Sequence, residues 1–260
     1  MNDQIQKLQA VLRAKAPLII SFSGGVDSSV LAAIAARTIP GMARFALLDS
    51  PLLSRHAYAD ALLIAEEIGI DLEIVPFPIL EDKQFCENPF DRCALCKQAS
   101  SRILKELAEG AVVADGANLS DRGEYRPGLA VADAEGIIHP FIEAGIDKNG
   151  VRELARNCGY SFWNKPSDAC LATRIPYWNR VLPETLLGAE AGEAVLRKFG
   201  VSQCRLRAHG DSARIEVHPD EFPIVLARRQ EIVKIVRELG FCYVTLDLEG
   251  FRSGSMDGGK

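Results

Sequence analysis

The segment Ser23-Gly24-Gly25-Val26-Asp27-Ser28-Ser29 joins the apolar run Pro17-Leu18-Ile19-Ile20-Ser21-Phe22 to a stretch carrying Val30, Leu31, Ile34 and Ala35 at helical spacing. A glycine pair at such a junction lets the backbone turn tightly and approach a ligand, and the amides of the helix start face an anion. Ser23, Ser28 and Ser29 add hydroxyl donors. The loop lacks the lysine of the Gly-x-x-x-x-Gly-Lys-Ser/Thr phosphate loop, so transfer of a terminal phosphoryl group by that machinery is not expected. The competing reading is a plain tight turn with Asp27-Ser28 as a helix cap.

Cys170 lies in Lys165-Pro166-Ser167-Asp168-Ala169-Cys170-Leu171-Ala172-Thr173-Arg174. Lys165 and Arg174 would lower its pKa and raise the thiolate fraction, which a sulfur nucleophile requires; the alternative is a small buried hydrophobe. Cys93 and Cys96 stand at metal-ligand spacing, a signal of moderate strength without a second pair or histidines, and Cys170 is available as a third ligand. Zinc and a redox disulfide remain open at these positions. Cys86, Cys158, Cys204 and Cys242 have no partners at ligand spacing and read as structural.

The elements that must position these residues follow from periodicity. A helix is expected over residues 2–14, then strands at 17–22, 44–49, 72–75 and 111–115. Helices near 27–37, 54–68 and 94–109 separate those strands. Such alternation implies a parallel sheet with helices on both faces and ligands at the carboxyl ends of the strands, where Ser23-Gly24-Gly25 and Asp115-Gly116-Ala117-Asn118 both fall. Beyond about residue 180 the pattern changes to helices near 184–199 and 221–239 and strands near 203–208, 212–217 and 242–247. The expected division is an α/β domain over residues 1–175 and a smaller C-terminal α+β domain over residues 176–260.

With 48% hydrophobic and 25% charged residues, the 260-residue chain can bury a sizeable core. Its net charge of −5 argues against a general nucleic-acid surface and for a small-molecule partner. No apolar run reaches the roughly 18 residues of a transmembrane helix, and Met1-Asn2-Asp3-Gln4 does not open a signal peptide, so a cytoplasmic protein without membrane contact is expected. An odd count of seven cysteines makes a disulfide framework improbable in that setting.

Ser-Gly-Gly-Val-Asp-Ser resembles the signature loop of the ATP-pyrophosphatase (PP-loop) class. The resemblance implies an adenine nucleotide alpha hydrolase-like fold and cleavage of ATP between its α and β phosphates with Mg²⁺, leaving an adenylated substrate. Ser23, Gly24, Gly25, Asp27 and Ser28 would then hold pyrophosphate, with Ser29, Asp115, Gly116 and Asn118 in the same nucleotide site. The wider chain resembles the LarE family, the sulfur transferases that build the nickel-pincer nucleotide cofactor of lactate racemase. The likeness runs through Asn88-Pro89-Phe90-Asp91-Arg92-Cys93-Ala94-Leu95-Cys96-Lys97, Tyr125-Arg126-Pro127-Gly128-Leu129, Pro140-Phe141-Ile142-Glu143-Ala144-Gly145, the Cys170 segment, Arg205 to Val217 and Val244 to Met256.

That resemblance implies adenylation of a carboxylate of pyridinium-3,5-biscarboxylic acid mononucleotide and its conversion to a thiocarboxylate. Cys170, Asp27 and Glu193 carry the chemistry in this reading, although Glu193 is equally a solvated helix glutamate. Arg205 and Arg207 bind the substrate phosphate, with solvated strand charges as the alternative, and Arg126 and Arg174 also face substrate. Some family members hold a [4Fe-4S] cluster on three cysteines, here Cys93, Cys96 and Cys170; in others the Cys170 sulfur is given up and dehydroalanine remains. An ammonia-dependent synthetase of the same fold and a non-catalytic nucleotide sensor are the rival functions. A homo-oligomer is expected, and after Tyr177 the chain reads Trp178-Asn179-Arg180 where the family has Tyr-Gly-Thr, which puts that loop's geometry in doubt.

Overall fold

The computed structural model describes residues 2–123, 127–166 and 168–252. In chain order the elements are α1 (Asn2–Lys15), β1 (Leu18–Phe22), α2 (Val26–Thr38), β2 (Ala43–Asp49), α3 (Arg55–Ile68), β3 (Leu72–Pro76), α4 (Lys83–Cys86), α5 (Arg92–Ala108) and β4 (Val112–Ala114). They continue with α6 (Pro127–Ala134), α7 (Pro140–Glu143), α8 (Lys148–Asn157), α9 (Pro183–Lys198), β5 (Cys204–His209), β6 (Ser212–Val217), α10 (Phe222–Ala227), α11 (Arg229–Glu238) and β7 (Tyr243–Leu246). The chain divides into one unit of residues 1–79 and 91–168 and a second of residues 80–90 and 169–260.

In the first unit the described strands form a four-stranded sheet of order β3-β2-β1-β4, parallel throughout. Strand alternation explains how it is covered. Leu18, Ile20 and Phe22 of β1, with Phe45 and Leu47 of β2, enter a core shared with Leu31 and Ala35 of α2, Ala61 and Ile64 of α3 and Leu154 of α8. The intervening Ile19 and Ala46 pack on the other face with Leu104 and Ala108 of α5 and Ala132 of α6. The expected α/β architecture with helices on both faces is what the structure has.

In the second unit β5 and β6 form an antiparallel hairpin and β7 adds parallel to β6. Cys204, Leu206 and Ala208 of β5 and Ala213, Ile215 and Val217 of β6 pack with Leu196 of α9 and with Ile232 and Val236 of α11. The intervening residues of the two strands are therefore the charged set, and register places Arg205 opposite Glu216 and Arg207 opposite Arg214. The single helix expected over 221–239 is two helices meeting at Arg228.

The division between the units falls at Asp168/Ala169, earlier than the expected 175/176, and residues 80–90 join the second unit. A buried asparagine supplies the physical reason. The Asn88 side chain donates to the carbonyls of Ile175 (3.3 Å), Pro176 (2.7 Å) and Asn179 (3.0 Å), and the Cys86 carbonyl accepts from the Val181 amide (2.8 Å). No sequence pattern announces such a long-range tie.

Candidate functional site

The first unit builds its site on the β1–α2 loop. Gly24 adopts φ +68°, and a Cβ there would stand 2.6 Å from the Ala61 Cβ of α3, so both conformation and space demand glycine. Gly25 occupies the N-cap of α2 in an extended conformation and brings no side chain to the helix end. First-turn N–H groups have no acceptor inside a helix, so a glycine cap leaves their dipoles directed at whatever lies beyond the end. Ser28 closes the loop on itself: its Oγ lies 2.9 Å from Ser23 Oγ, accepts from the Ser23 amide (3.1 Å) and donates to the Gly25 carbonyl (3.2 Å). Asp27 is partly exposed in the first turn, and Ser29 is fully buried.

Behind this loop stands the end of β4. A Cβ on Gly116 would lie 2.7 Å from the Ser28 amide nitrogen and 2.9 Å from the Asp27 carbonyl carbon, so the 115–118 segment is pressed directly against the start of α2. Asp115 anchors that segment by pairing with Lys97 Nζ (2.6 Å) and His139 Nδ1 (2.6 Å) and accepting from the Ala117 amide (3.1 Å). Burial alone would raise the Asp115 pKa, but His139 and Lys97 outweigh it and hold the carboxyl well below the usual range. Asn118 is buried in a turn, where its Oδ1 accepts from Ser120 (3.0 Å) and its amide donates to Asp121 (2.9 Å). Lys97, Asp115 and Asp121 line a cavity of about 380 Å³ with Cys93, Pro127 and Leu129. Sequence reasoning missed His139; a histidine immediately before Pro140 at a helix start gave no sign of a carboxylate 24 positions away.

Cys93 and Cys96 sit on the first turns of α5, exposed and partly buried respectively, and i,i+3 spacing puts them on one face. Among the described residues no cysteine is joined in a disulfide. Cys86 and Cys204 are buried, as expected, whereas Cys158 and Cys242 are exposed, so for these two the structural reading is corrected. Burial pushes the Cys204 thiol up to about 12. Among the described residues no three His, Cys, Asp or Glu side chains stand together as a metal-holding group.

In the second unit Cys170 is exposed and caps the short turn Leu171–Arg174. Its carbonyl accepts from the Thr173 hydroxyl (2.8 Å) and from Arg174 Nη1 (3.3 Å). The two cations expected to activate its thiol have other partners. Lys165, in the first unit, donates to the Gly24 carbonyl (3.1 Å) and pairs with Asp60 (3.0 Å). Arg174 is buried against Glu193, with Nε–Oε1 2.7 Å and Nη2–Oε2 3.1 Å.

Glu193 is itself fully buried, which excludes the solvated-helix reading, and its carboxylate also accepts from Arg197 (3.1 Å) and the Leu206 amide (3.1 Å). Arg205 and Arg207 are likewise buried rather than solvated. Arg207 donates to Glu216 Oε2 (3.0 and 2.9 Å) and to the Thr173 carbonyl (2.7 Å), which ties β5 to the Cys170 turn. Arg205 donates to the Cys204 carbonyl (2.8 Å) and lies over the Phe251 ring. Glu216 and Arg214, paired at 2.9 Å, complete the cluster; the alternation of charge on both arms of the hairpin was the signal that could have found them. Arg126 lies outside the described residues.

Three proteins match almost from end to end. A Synechocystis protein described as uncharacterised is 34% identical over 99% of this chain and 98% of its own length. An uncharacterised Methanocaldococcus jannaschii protein is 30% identical, over 91% of each chain. A Lactiplantibacillus plantarum protein named pyridinium-3,5-bisthiocarboxylic acid mononucleotide synthase is 31% identical over 96% of this chain and 92% of that one. The chain belongs to the LarE family. No protein-family profile matches it.

Within the LarE pattern, the departure at Trp178 has a local explanation. Trp178 adopts φ +66°, a region that glycine enters freely and a bulky side chain at a cost. Its exposed ring meets Phe90 edge-on at 5.6 Å, and Phe90 lies 4.8 Å from Tyr177. Asn88 holds the surrounding backbone from inside.

Proposed function

We propose that this protein is an ATP-dependent, AMP- and pyrophosphate-forming sulfur transferase acting on pyridinium-3,5-biscarboxylic acid mononucleotide. The observation that carries the reading is the full-length likeness to a protein named as synthase of the bisthiocarboxylic acid mononucleotide. The glycine-capped start of α2 and the exposed Cys170 support it, since the chemistry needs a cradle for an anionic leaving group and an accessible thiol.

A carboxylate is a poor electrophile. In this reading a substrate carboxylate oxygen attacks the α-phosphorus of ATP, the bond to the β-bridging oxygen breaks, and pyrophosphate departs toward the first-turn amides of α2 and the hydroxyls of Ser23 and Ser28. The amides there are stationary dipoles, so they stabilise the developing charge without reorganising. Asp27, a hard oxygen donor in the first turn of α2, would hold Mg²⁺, and the ion when bound would offset the charge of the departing pyrophosphate. A sulfur nucleophile then adds to the acyl carbon and AMP leaves with the electron pair. Arg205 and Arg207 hold the nucleotide phosphate, and Glu193 keeps Arg174, and through it the Cys170 turn, in place.

In this reading a [4Fe-4S] cluster would be held by Cys93, Cys96 and Cys170, thiolates being the ligands such clusters take. When bound it would supply sulfide repeatedly. Without it, Cys170 attacks as thiolate to give a thioester, and loss of the Cα proton with cleavage of Cβ–S leaves the thiocarboxylate and dehydroalanine. The small-molecule partner, cytoplasmic location and self-association belong to the same proposal; no helix among the described residues is long and apolar enough to cross a membrane.

The test is anaerobic purification with iron and sulfide analysis, then incubation with ATP, Mg²⁺ and the dicarboxylate mononucleotide while AMP and pyrophosphate are measured. Release of both, dependent on the mononucleotide, is expected; ATP left intact would overturn the reading. Intact mass after turnover separates the two sulfur routes: an unchanged protein with bound iron supports the cluster, and a chain lighter by the mass of H₂S at Cys170 supports sacrifice.

A further inference from the structure

Lys165 is engaged at Gly24 and Asp60, and that position gives it a task of its own. Its Nζ lies 3.1 Å from the Gly24 carbonyl oxygen and 3.0 Å from Asp60 Oδ2, with the side chain 18% exposed. The backbone that carries it is fixed as well: the Lys165 amide donates to the Phe162 carbonyl (2.9 Å), and its own carbonyl accepts from Arg152 Nη2 (3.1 Å). The lysine therefore reaches the loop from an anchored base, with Asp60 and Ala61 of α3 on the same side of Gly24.

The peptide between Gly24 and Gly25 is planar and trans, so its C=O and N–H point in opposite directions. Fixing the Gly24 carbonyl on Lys165 turns the Gly25 N–H the other way, where Ser23 Oγ is a distant acceptor at 3.4 Å. A peptide flanked by glycine on both sides flips more readily than any other, because neither residue has a Cβ to oppose rotation. A flipped peptide would present a carbonyl oxygen to the anion in place of an N–H.

We infer that Lys165, oriented by Asp60, is a positioning residue that latches the Gly24–Gly25 peptide in its anion-binding orientation. The inference rests on the reading of this loop as the pyrophosphate site and adds the device that keeps it set. His56 is a further titratable group at Asp60, 3.9 Å away and more than half exposed, a weak competitor for the carboxylate.

The experiment measures binding of magnesium pyrophosphate and of AMP by calorimetry to the full chain and to Lys165→Met, Lys165→Arg, Asp60→Asn and the Met/Asn double variant, each checked for an unchanged melting temperature. A hydrogen bond from a charged donor predicts pyrophosphate binding weaker by about tenfold or more in Lys165→Met. AMP binding is expected to be unchanged, with partial recovery in Lys165→Arg. Asp60→Asn should weaken pyrophosphate binding in the same direction, and the double variant should be no worse than Lys165→Met. Tighter or unchanged binding in Asp60→Asn beside weak binding in Lys165→Met would mean that the lysine touches the anion directly, and overturns the latch. Equal binding by wild type and Lys165→Met overturns it too. Absence of pyrophosphate binding by the wild-type chain overturns the ATP reading itself and the latch with it.

Discussion

The glycine loop of the first unit and the arginine face of the second handle charge in opposite ways. Around Ser23–Ser29 the donors are main-chain amides and two hydroxyls, with Lys165 bonded to a carbonyl from behind. Around β5 and β6, Arg174 and Arg197 pair with Glu193, and Arg207 and Arg214 with Glu216, both carboxylates being fully buried. Amide dipoles at a helix end are readily hydrated and need no counter-charge while they wait. Buried guanidinium groups do, because desolvating a charge costs several kcal/mol unless it is paired. In the proposed function the loop is therefore an anion site that stands open, whereas the arginine face is pre-neutralised, and a phosphate docking there would take over hydrogen bonds already directed at carboxylates.

That contrast breaks first at Glu193. Glu193→Ala leaves Arg174 buried without its carboxylate, and a loss of about 3–5 kcal/mol is expected in denaturant unfolding; a loss below about 1 kcal/mol would mean the arginines do not depend on their resident anion. Gly116→Ala probes the loop, where a Cβ would meet the Ser28 nitrogen at 2.7 Å. Overpacking of this kind costs roughly 1–3 kcal/mol, and pyrophosphate binding should fall further than stability does.

The smallest effect is expected in acid. Asp115 has its folded-state pKa depressed below an unfolded value near 3.9, so its contribution is fully present above that pH and disappears as pH falls through the folded value. Asp115→Asn should flatten the stability profile below about pH 4 while leaving the arginine face untouched. An unchanged acid limb would show that Lys97 and His139 do not stabilise the carboxylate.

The placement of the candidate residues on their elements was legible where spacing is short. The glycine pair, the Cys93/Cys96 step and the Arg205/Arg207 alternation each occupy the element that their spacing implied. What spacing left open was whether a charge is solvated. Glu193 read equally well as a surface group, and the two arginines carried that alternative. The burial of Glu193 follows from α9 lying so close on β5 that a Cβ on Gly192 would collide with Leu206, whereas the arginines, on the other strand face, are engaged by Glu216, the Thr173 carbonyl and the Phe251 ring. That residues 80–90 belong with the second unit was not legible for a related reason, since Asn88 ties them to a segment 87 to 91 positions away.

By itself the sequence determined the alternation of β1 to β4 with α2, α3 and α5, the parallel sheet and the loop that α2 begins from, because periodicity and glycine placement act within a few residues. Only the tertiary structure decided the partners: Lys165 reaches a carbonyl 141 positions away, His139 takes Asp115, and Arg174 takes Glu193. Those pairings depend on which helix faces meet after the sheet is covered, and burial then makes each unpaired charge costly enough that one arrangement prevails.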